Sequence, residues 1–117
     1  GALDAEFRSI PGVEVIDLHR RSKYDPLPIA KVARLIRSRR VDVVQPFLTP
    51  ATFFGLLPAL MVGVRATIVT ERCGVRQSRG AGYTLYRVVE DRLSRFADAI
   101  VPNSQAGQEM LLHRGLP

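Results

Sequence analysis

Short runs dominated by branched aliphatic residues, at 13–18, 41–45, 66–70 and 100–101, alternate along the chain with longer stretches of helical spacing. This alternation constrains the fold more than any other feature. Strands that alternate with helices through short connections build a parallel sheet joined by right-handed crossovers. A strand covered on both faces of such a sheet needs a near-continuous apolar run, and residues 41–45 and 66–70 have that character. The reading predicts an α/β domain with an open, four-stranded parallel sheet and helices on both faces.

The punctuation between runs agrees. Leu3, Phe7 and Ile10 fall at helical spacing and Pro11-Gly12 stops them, as at the tail of a helix. Asp25-Pro26 supplies a cap and a first helical residue. Ile29, Val32, Leu35 and Ile36 then form one stripe, with Arg37, Arg39 and Arg40 in the last turn, where cations complement the helix dipole. Thr49-Pro50 opens a second helix and Gly63 closes it; Pro58 inside it should kink it. A Gly- and Arg-rich loop is expected from residue 71 to 82. Leu85, Val89, Leu93 and Phe96 mark a third helix, with Asp91 four residues before Arg95 in the favourable order. Asn103 or Ser104 caps a last helix that runs to Gly115. The chain starts on a helix tail and stops one helix after its last strand, so an opening strand is expected to be missing and both ends look cut.

Composition excludes several classes. A chain of 117 residues is one domain at most, large enough for its own core. The single cysteine, Cys73, allows neither an intramolecular disulfide nor a cysteine metal cluster, and a reducing compartment is the default. Seventeen basic residues face eleven acidic ones, and only Lys23 and Lys31 among the basic ones are lysines. That balance suits nucleic acid, anionic lipid or phosphorylated substrates, and it equally suits arginine-rich solvated faces. Few aromatics and no reading motif argue against nucleic acid. Residues 43–64 carry no charge, but Gln45, Pro46, Pro50 and Pro58 divide them into a strand and a helix, which excludes a membrane span. No signal peptide is visible.

No familiar catalytic motif is present. Gly80-Ala81-Gly82 has two glycines of a dinucleotide fingerprint, but Leu85 takes the third place. There is no phosphate-cradling lysine loop. His19 and His113 lack metal-ligand spacing, and no metal is expected. Cys73 beside Arg72 reads as an inert thiol. What remains is position. The carboxyl ends of parallel strands line one crevice, and here they carry Asp17-Leu18-His19, Gln45-Pro46-Phe47, Thr70-Glu71-Arg72 and Pro102-Asn103-Ser104. Polar groups beside an aromatic suit a hydroxyl-rich or phosphorylated ligand. Gln45, Phe47, Glu71, Arg72, Arg76 and Arg79 are the candidate binding residues. Glu71 can accept from hydroxyls or act as a base, and the arginines can clamp phosphate. Asn103 and Ser104 read as helix caps, and no residue is assigned as catalytic.

The ordered set Val41-Asp42-Val43-Val44-Gln45, Val62-Gly63-Val64, Thr67-Ile68-Val69-Thr70-Glu71-Arg72, Ala97-Asp98-Ala99-Ile100-Val101-Pro102-Asn103-Ser104 and Gly115-Leu116-Pro117 resembles the N-terminal domain of the family 4 glycosyltransferases, retaining enzymes of the GT-B fold. The resemblance runs from Val13 to the end of the chain. It implies two Rossmann-like domains facing across a cleft, the first binding mainly the acceptor and the second holding a nucleotide-sugar donor through a pair of glutamates. Residues 1–117 would then be a single, partial N-terminal domain, without the opening strand, its glycine-rich loop and the C-terminal domain, and inactive alone. Many members carry His-x-His after the second strand, where this chain has Gln45 and Phe47. A branch with a Gln-Thr-Phe-like run and Ser-Glu-Arg fits Thr70-Glu71-Arg72 better, and its members commonly build capsules, exopolysaccharides or lipopolysaccharide. The resemblance implies no cofactor, a saccharide or lipid-linked acceptor, and a cytoplasmic setting at the inner face of the membrane. Arg34, Arg37, Arg39 and Arg40 on one helix, with the arginines of the 72–79 loop, would meet an anionic membrane. The alternative is a stand-alone flavodoxin-like module that binds a nucleotide or phosphate.

Overall fold

The computed structural model describes residues 2–22, 25–47, 51–71 and 81–116. In chain order their elements are α1 (Ala2–Arg8), α2 (Leu27–Arg39), β1 (Val43–Val44), α3 (Ala51–Val62), β2 (Ala66–Glu71), α4 (Ala81–Ser94), β3 (Ala99–Pro102) and α5 (Gln105–His113). The strands form a parallel sheet in the order β1-β2-β3. Val44 lies beside Thr67, and Val69 lies beside Ile100. The architecture is an open parallel α/β sheet, an incomplete Rossmann-like fold.

One expected strand is absent. Residues 13–18 have no regular structure, and the described sheet has three strands instead of four. The segment still follows the course of a strand in a strand–helix unit. Glu14 meets Arg39 at the end of α2, while the Leu18 carbonyl accepts from Lys31 Nζ at 3.2 Å, nearer its start. A strand, however, exists only where its N–H and C=O groups find a ladder. Among the described residues no strand pairs with 13–18, and local bonds close the two ends of the segment: Val13 N–H donates to the Ile10 carbonyl, and His19 N–H donates to Asp17 Oδ1. Aliphatic composition alone did not supply a partner.

Helix α3 is the centre of the core. It packs against α2, α4, β1 and β2. Leu56 and Ala59 are completely buried, and Thr52 and Pro58 nearly so. Burying a leucine side chain contributes about 2–3 kcal/mol. The helix continues through Pro58 and stops at Gly63, whose φ of +78° is the left-handed conformation glycine adopts without strain. Ile36 of the α2 stripe, Phe54 of α3 and Val69 of β2 complete this part of the core. On α2 the cap sits one residue off the expected place: Asp25 Oδ1 takes the Leu27 N–H at 3.0 Å, and Pro26 occupies the cap position.

Two polar ties fix the rest. At the amino ends of β2 and β3, Asp98 Oδ2 accepts from Thr67 N–H at 2.7 Å and from Thr67 Oγ1 at 3.1 Å. These bonds, the backbone one first, hold the Asp98 carboxyl below its ordinary value. Between α4 and α5, Arg114 grips both oxygens of Asp91, one through Nε at 3.0 Å. The expected Asp91–Arg95 pair does not form. A two-pronged, largely buried contact to Arg114 outcompetes an exposed one-turn pair. Two further boundaries differ from expectation: Glu71 still belongs to β2, and α4 starts at Ala81, ahead of Leu85.

Candidate functional site

The carboxyl end of the sheet is built from the turn that follows β1. Thr70 N–H donates to the Pro46 carbonyl at 3.3 Å, and Phe47 bridges to Thr70 in parallel fashion. This extends the β1–β2 ladder beyond the two residues of β1. Alternation along the extended segment sends Gln45 and Phe47 to one side and Pro46 to the other. Pro46 is buried against α3, where a Cβ on Gly55 would stand 3.2 Å from Pro46 Cβ. Gln45 Nε2 donates to Thr70 Oγ1 at 2.9 Å, which holds the amide beside the end of β2. Phe47 remains 46% exposed.

Two of the six expected site residues, Gln45 and Phe47, are therefore brought together, and Thr70 joins them. Thr70 was visible in the sequence only as the last residue before Glu71; the signal that places it is the register, which sets it beside Phe47. Glu71 closes β2 opposite Pro102, and its side chain lies outside the described residues. Arg72, Arg76 and Arg79 lie outside them too, as do Cys73, Thr49 and Pro50. At the end of β3, Ser104 has extended backbone and its Oγ accepts from Gly107 N–H at 3.0 Å. It is a helix cap.

A second set of groups reaches the same end of the molecule from residues 17–25. Asp17 Oδ1 accepts from His19 N–H at 2.8 Å, and His19 takes a left-handed φ of +48°. Asp25 Oδ2 accepts from Arg21 N–H at 3.1 Å while its other oxygen caps α2. These backbone donors, Arg21 before Leu27, lower the Asp25 carboxyl below its ordinary value. Between the two turns Arg20 lays its guanidinium over the Phe54 ring, 5.2 Å from the centroid. Phe54 is itself 8% exposed and meets Phe53 edge-to-face at 5.1 Å. Sequence reading passed over Arg20; the two aspartates bracketing His-Arg-Arg were the available signal.

Chemically, the Gln45 amide keeps one N–H and its carbonyl for a ligand hydroxyl. Phe47 offers an apolar platform, and Arg20 offers a fixed cation. Among the described residues no group of three His, Cys, Asp or Glu side chains is placed to hold a metal. No described helix is long and apolar enough to cross a membrane. The chain matches the family model described as the glycosyl transferase 4-like domain over residues 2–117. No curated protein and no solved structure gives a match.

Proposed function

The chain belongs to the family of glycosyl transferase 4-like domains, and from that membership we propose that it forms the acceptor side of a retaining glycosyltransferase. The transferred sugar comes from a nucleotide-sugar donor and passes to a saccharide or lipid-linked acceptor. The bond between the anomeric carbon and the donor phosphate breaks, the nucleoside diphosphate leaves with the electron pair, and an acceptor hydroxyl oxygen takes its place and loses its proton. A second domain holds the donor in this reading, so residues 1–117 position the acceptor without performing transfer alone.

The family match over residues 2–117 carries the proposal. The arrangement of Gln45, Phe47 and Thr70 at one sheet end supports it, because carbohydrate recognition pairs planar hydrogen-bonding groups with an aromatic surface. In the proposed roles Gln45 orients an acceptor hydroxyl and Phe47 stacks on the apolar face of a sugar ring. Glu71 accepts from hydroxyls or removes a proton, and Arg72, Arg76 and Arg79 meet phosphate. The acceptors belong to cell-surface polysaccharide synthesis, at the cytoplasmic face of an anionic membrane.

The test is a donor screen on the full-length protein, with release of nucleoside diphosphate measured against a panel of nucleotide sugars and with and without saccharide acceptors. Acceptor-dependent release from at least one donor is the expected result, with the anomeric configuration of the product retained. Absence of release from every donor overturns the transferase reading. An inverted product overturns the retaining one.

A further inference from the structure

We propose that Arg20 is an anion-recognising residue of the acceptor crevice, placed to bind a phosphate ester carried by the acceptor. The proposal deepens the glycosyl-transfer reading, on which it rests for the word acceptor and for nothing else.

His19, Arg20 and Arg21 stand in succession, and the two carboxylates that flank them are taken up by the residues on either side of Arg20. Asp17 accepts from the His19 backbone, and Asp25 divides its oxygens between the Arg21 and Leu27 backbones. Arg20 itself has no carboxylate partner among the described residues; its contact there is the Phe54 ring.

That contact decides what the guanidinium can do. The ring contact leaves the N–H groups of the guanidinium without a hydrogen-bond partner among the described residues. An arginine so held is pre-organised for two-pronged contact with a planar or tetrahedral oxyanion, with less rotamer entropy left to lose. The support is rigid. Phe54 is nearly buried in the first turn of α3, and the loop that carries Arg20 is pinned on both sides by aspartate-to-backbone bonds. His19 accepts a left-handed φ of +48° between those bonds, a conformation that costs a non-glycine residue about 1 kcal/mol or more.

Position supplies the last step. Residues 13–18 run opposite to α2, as β1 does after it, so the loop that follows Leu18 lies at the carboxyl end of the sheet. Phe54 is followed by Gly55, which rests on Pro46, and Pro46 is flanked by Gln45 and Phe47. Arg20, through Phe54, and Pro46, through Gly55, both rest on the start of α3, with Gln45 and Phe47 on the other side of the Pro46 turn. Arg20 and the Gln45–Phe47 pair thus share the carboxyl end of the sheet.

The phosphate can belong to a soluble phosphorylated saccharide or to a lipid headgroup, and the experiment separates them. The readout is the Arg20 Nε–H signal of the full-length protein, followed in nitrogen-15 spectra at low temperature and mildly acidic pH. Inorganic phosphate is titrated at constant ionic strength with chloride as the balance, followed by vesicles of phosphatidylcholine with and without phosphatidate. The expected result is a saturable shift of the Arg20 signal with phosphate or with phosphatidate vesicles. Arg20→Gln should weaken the binding about tenfold, Arg20→Lys should fall between, and Arg65→Gln, at the opposite end of the sheet just before β2, should leave it unchanged. Saturation with soluble phosphate assigns a soluble ester, and saturation with phosphatidate vesicles alone assigns a lipid headgroup. Phe54→Leu, which keeps the apolar volume and removes the stack, should reproduce most of the Arg20→Gln loss. No saturable shift with either probe overturns the proposal, and so does equal weakening by Arg65→Gln, which would reduce the effect to net charge. The titration contains no nucleotide sugar, so its failure leaves the donor screen standing, and a failed donor screen leaves the anion site standing.

Discussion

Gly55→Ala tests whether the floor of the site is set by close approach of a helix to a turn. In an unobstructed helix interior, replacing glycine by alanine stabilises by about 1 kcal/mol. Gly55 lies in the middle of α3, but its added Cβ would stand 3.2 Å from Pro46 Cβ, 3.7 Å from Pro46 Cγ and 4.0 Å from Val44 Cγ1. Carbon atoms rest at about 3.5–4.0 Å, so either Pro46 or α3 must give by a few tenths of an ångström. Pro46 is buried, its ring fixes φ, and its carbonyl is bonded to Thr70 N–H. Overpacking of this sort costs about 1–3 kcal/mol. The two terms leave a net loss of about 1 kcal/mol, which lowers the melting temperature by about 4 °C in a chain of this length. The same shift passes through Pro46 to its neighbours, so the Gln45–Thr70 hydrogen bond should lengthen. The assay is thermal unfolding followed by circular dichroism, paired with acceptor KM in the full-length enzyme. A melting temperature raised by about 4 °C with unchanged KM would refute the reasoning, because it would show that α3 has room to spare over Pro46.

Other consequences are as direct. Phe47→Ala should raise the acceptor KM about fivefold, the equivalent of about 1 kcal/mol of aromatic contact, with little change in unfolding because the ring is half exposed; steady-state kinetics and a melting curve decide it. Arg40 sits at φ +51° after α2, a place glycine fills without strain, so Arg40→Gly should stabilise by about 0.5–1 kcal/mol in chemical denaturation. The Asp91–Arg114 pair, with side chains 25% and 17% exposed, should show a coupling of about 1–2 kcal/mol in a double-mutant cycle with Asp91→Asn and Arg114→Gln. Asp98 and Asp25 are both held below their ordinary value of 3.8 in the folded chain. Their stabilising contribution is therefore complete above about pH 4 and is lost as pH falls through the lower folded value. Asp98→Asn should flatten the decline of stability below pH 4, which acid titration of the fluorescence or circular dichroism signal will register.

The parts of the fold that could be read in the sequence are those written in local chemistry. Gly63, Ser104 and the Ile36 stripe carry their roles on their faces: a left-handed stop, a short oxygen that reaches Gly107, and an apolar face at helical spacing. Parallel alternation also followed, because residues 66–71 and 99–102 are too apolar and too well separated for anything but a crossover. What could not be read depends on partners distant along the chain. Residues 13–18 have the composition of a strand, yet composition does not say whether a ladder is present beside them. Asp91 sits four residues before Arg95, yet helix spacing does not reveal that Arg114 arrives from the next helix with a better fork. At the site, Gln45 and Phe47 were legible as the residues after a strand. Thr70 and Arg20 were not, because one is placed by register between strands and the other by a ring in a helix thirty-odd positions away.

The two ends of the sheet divide the work between them. At the amino ends of β2 and β3, Asp98 and Thr67 exchange hydrogen bonds among themselves, so their polar groups are consumed in joining strands. At the carboxyl ends the polar groups are only partly consumed. Gln45 makes one bond to Thr70 and keeps the other half of its amide, Phe47 stays half exposed, and Arg20 meets the Phe54 ring and keeps N–H groups without a hydrogen-bond partner among the described residues. An end whose polar atoms satisfy one another stabilises but cannot recognise; an end whose atoms are held in place yet left with unused donors and acceptors can. The same geometric fact explains why strand ends in open parallel sheets gather ligands. Each loop there is anchored by the strand before it and the helix after it, so a side chain such as Gln45 is positioned by bonds that do not exhaust it. On that reasoning Asp98→Asn and Gln45→Leu should separate cleanly. The first should lower stability and leave acceptor KM intact in the enzyme that still folds, whereas the second should raise acceptor KM several-fold with a melting temperature within about 2 °C of the parent. A Gln45→Leu enzyme with unchanged KM would mean that the amide serves only Thr70, and the division between the two ends would fall with it.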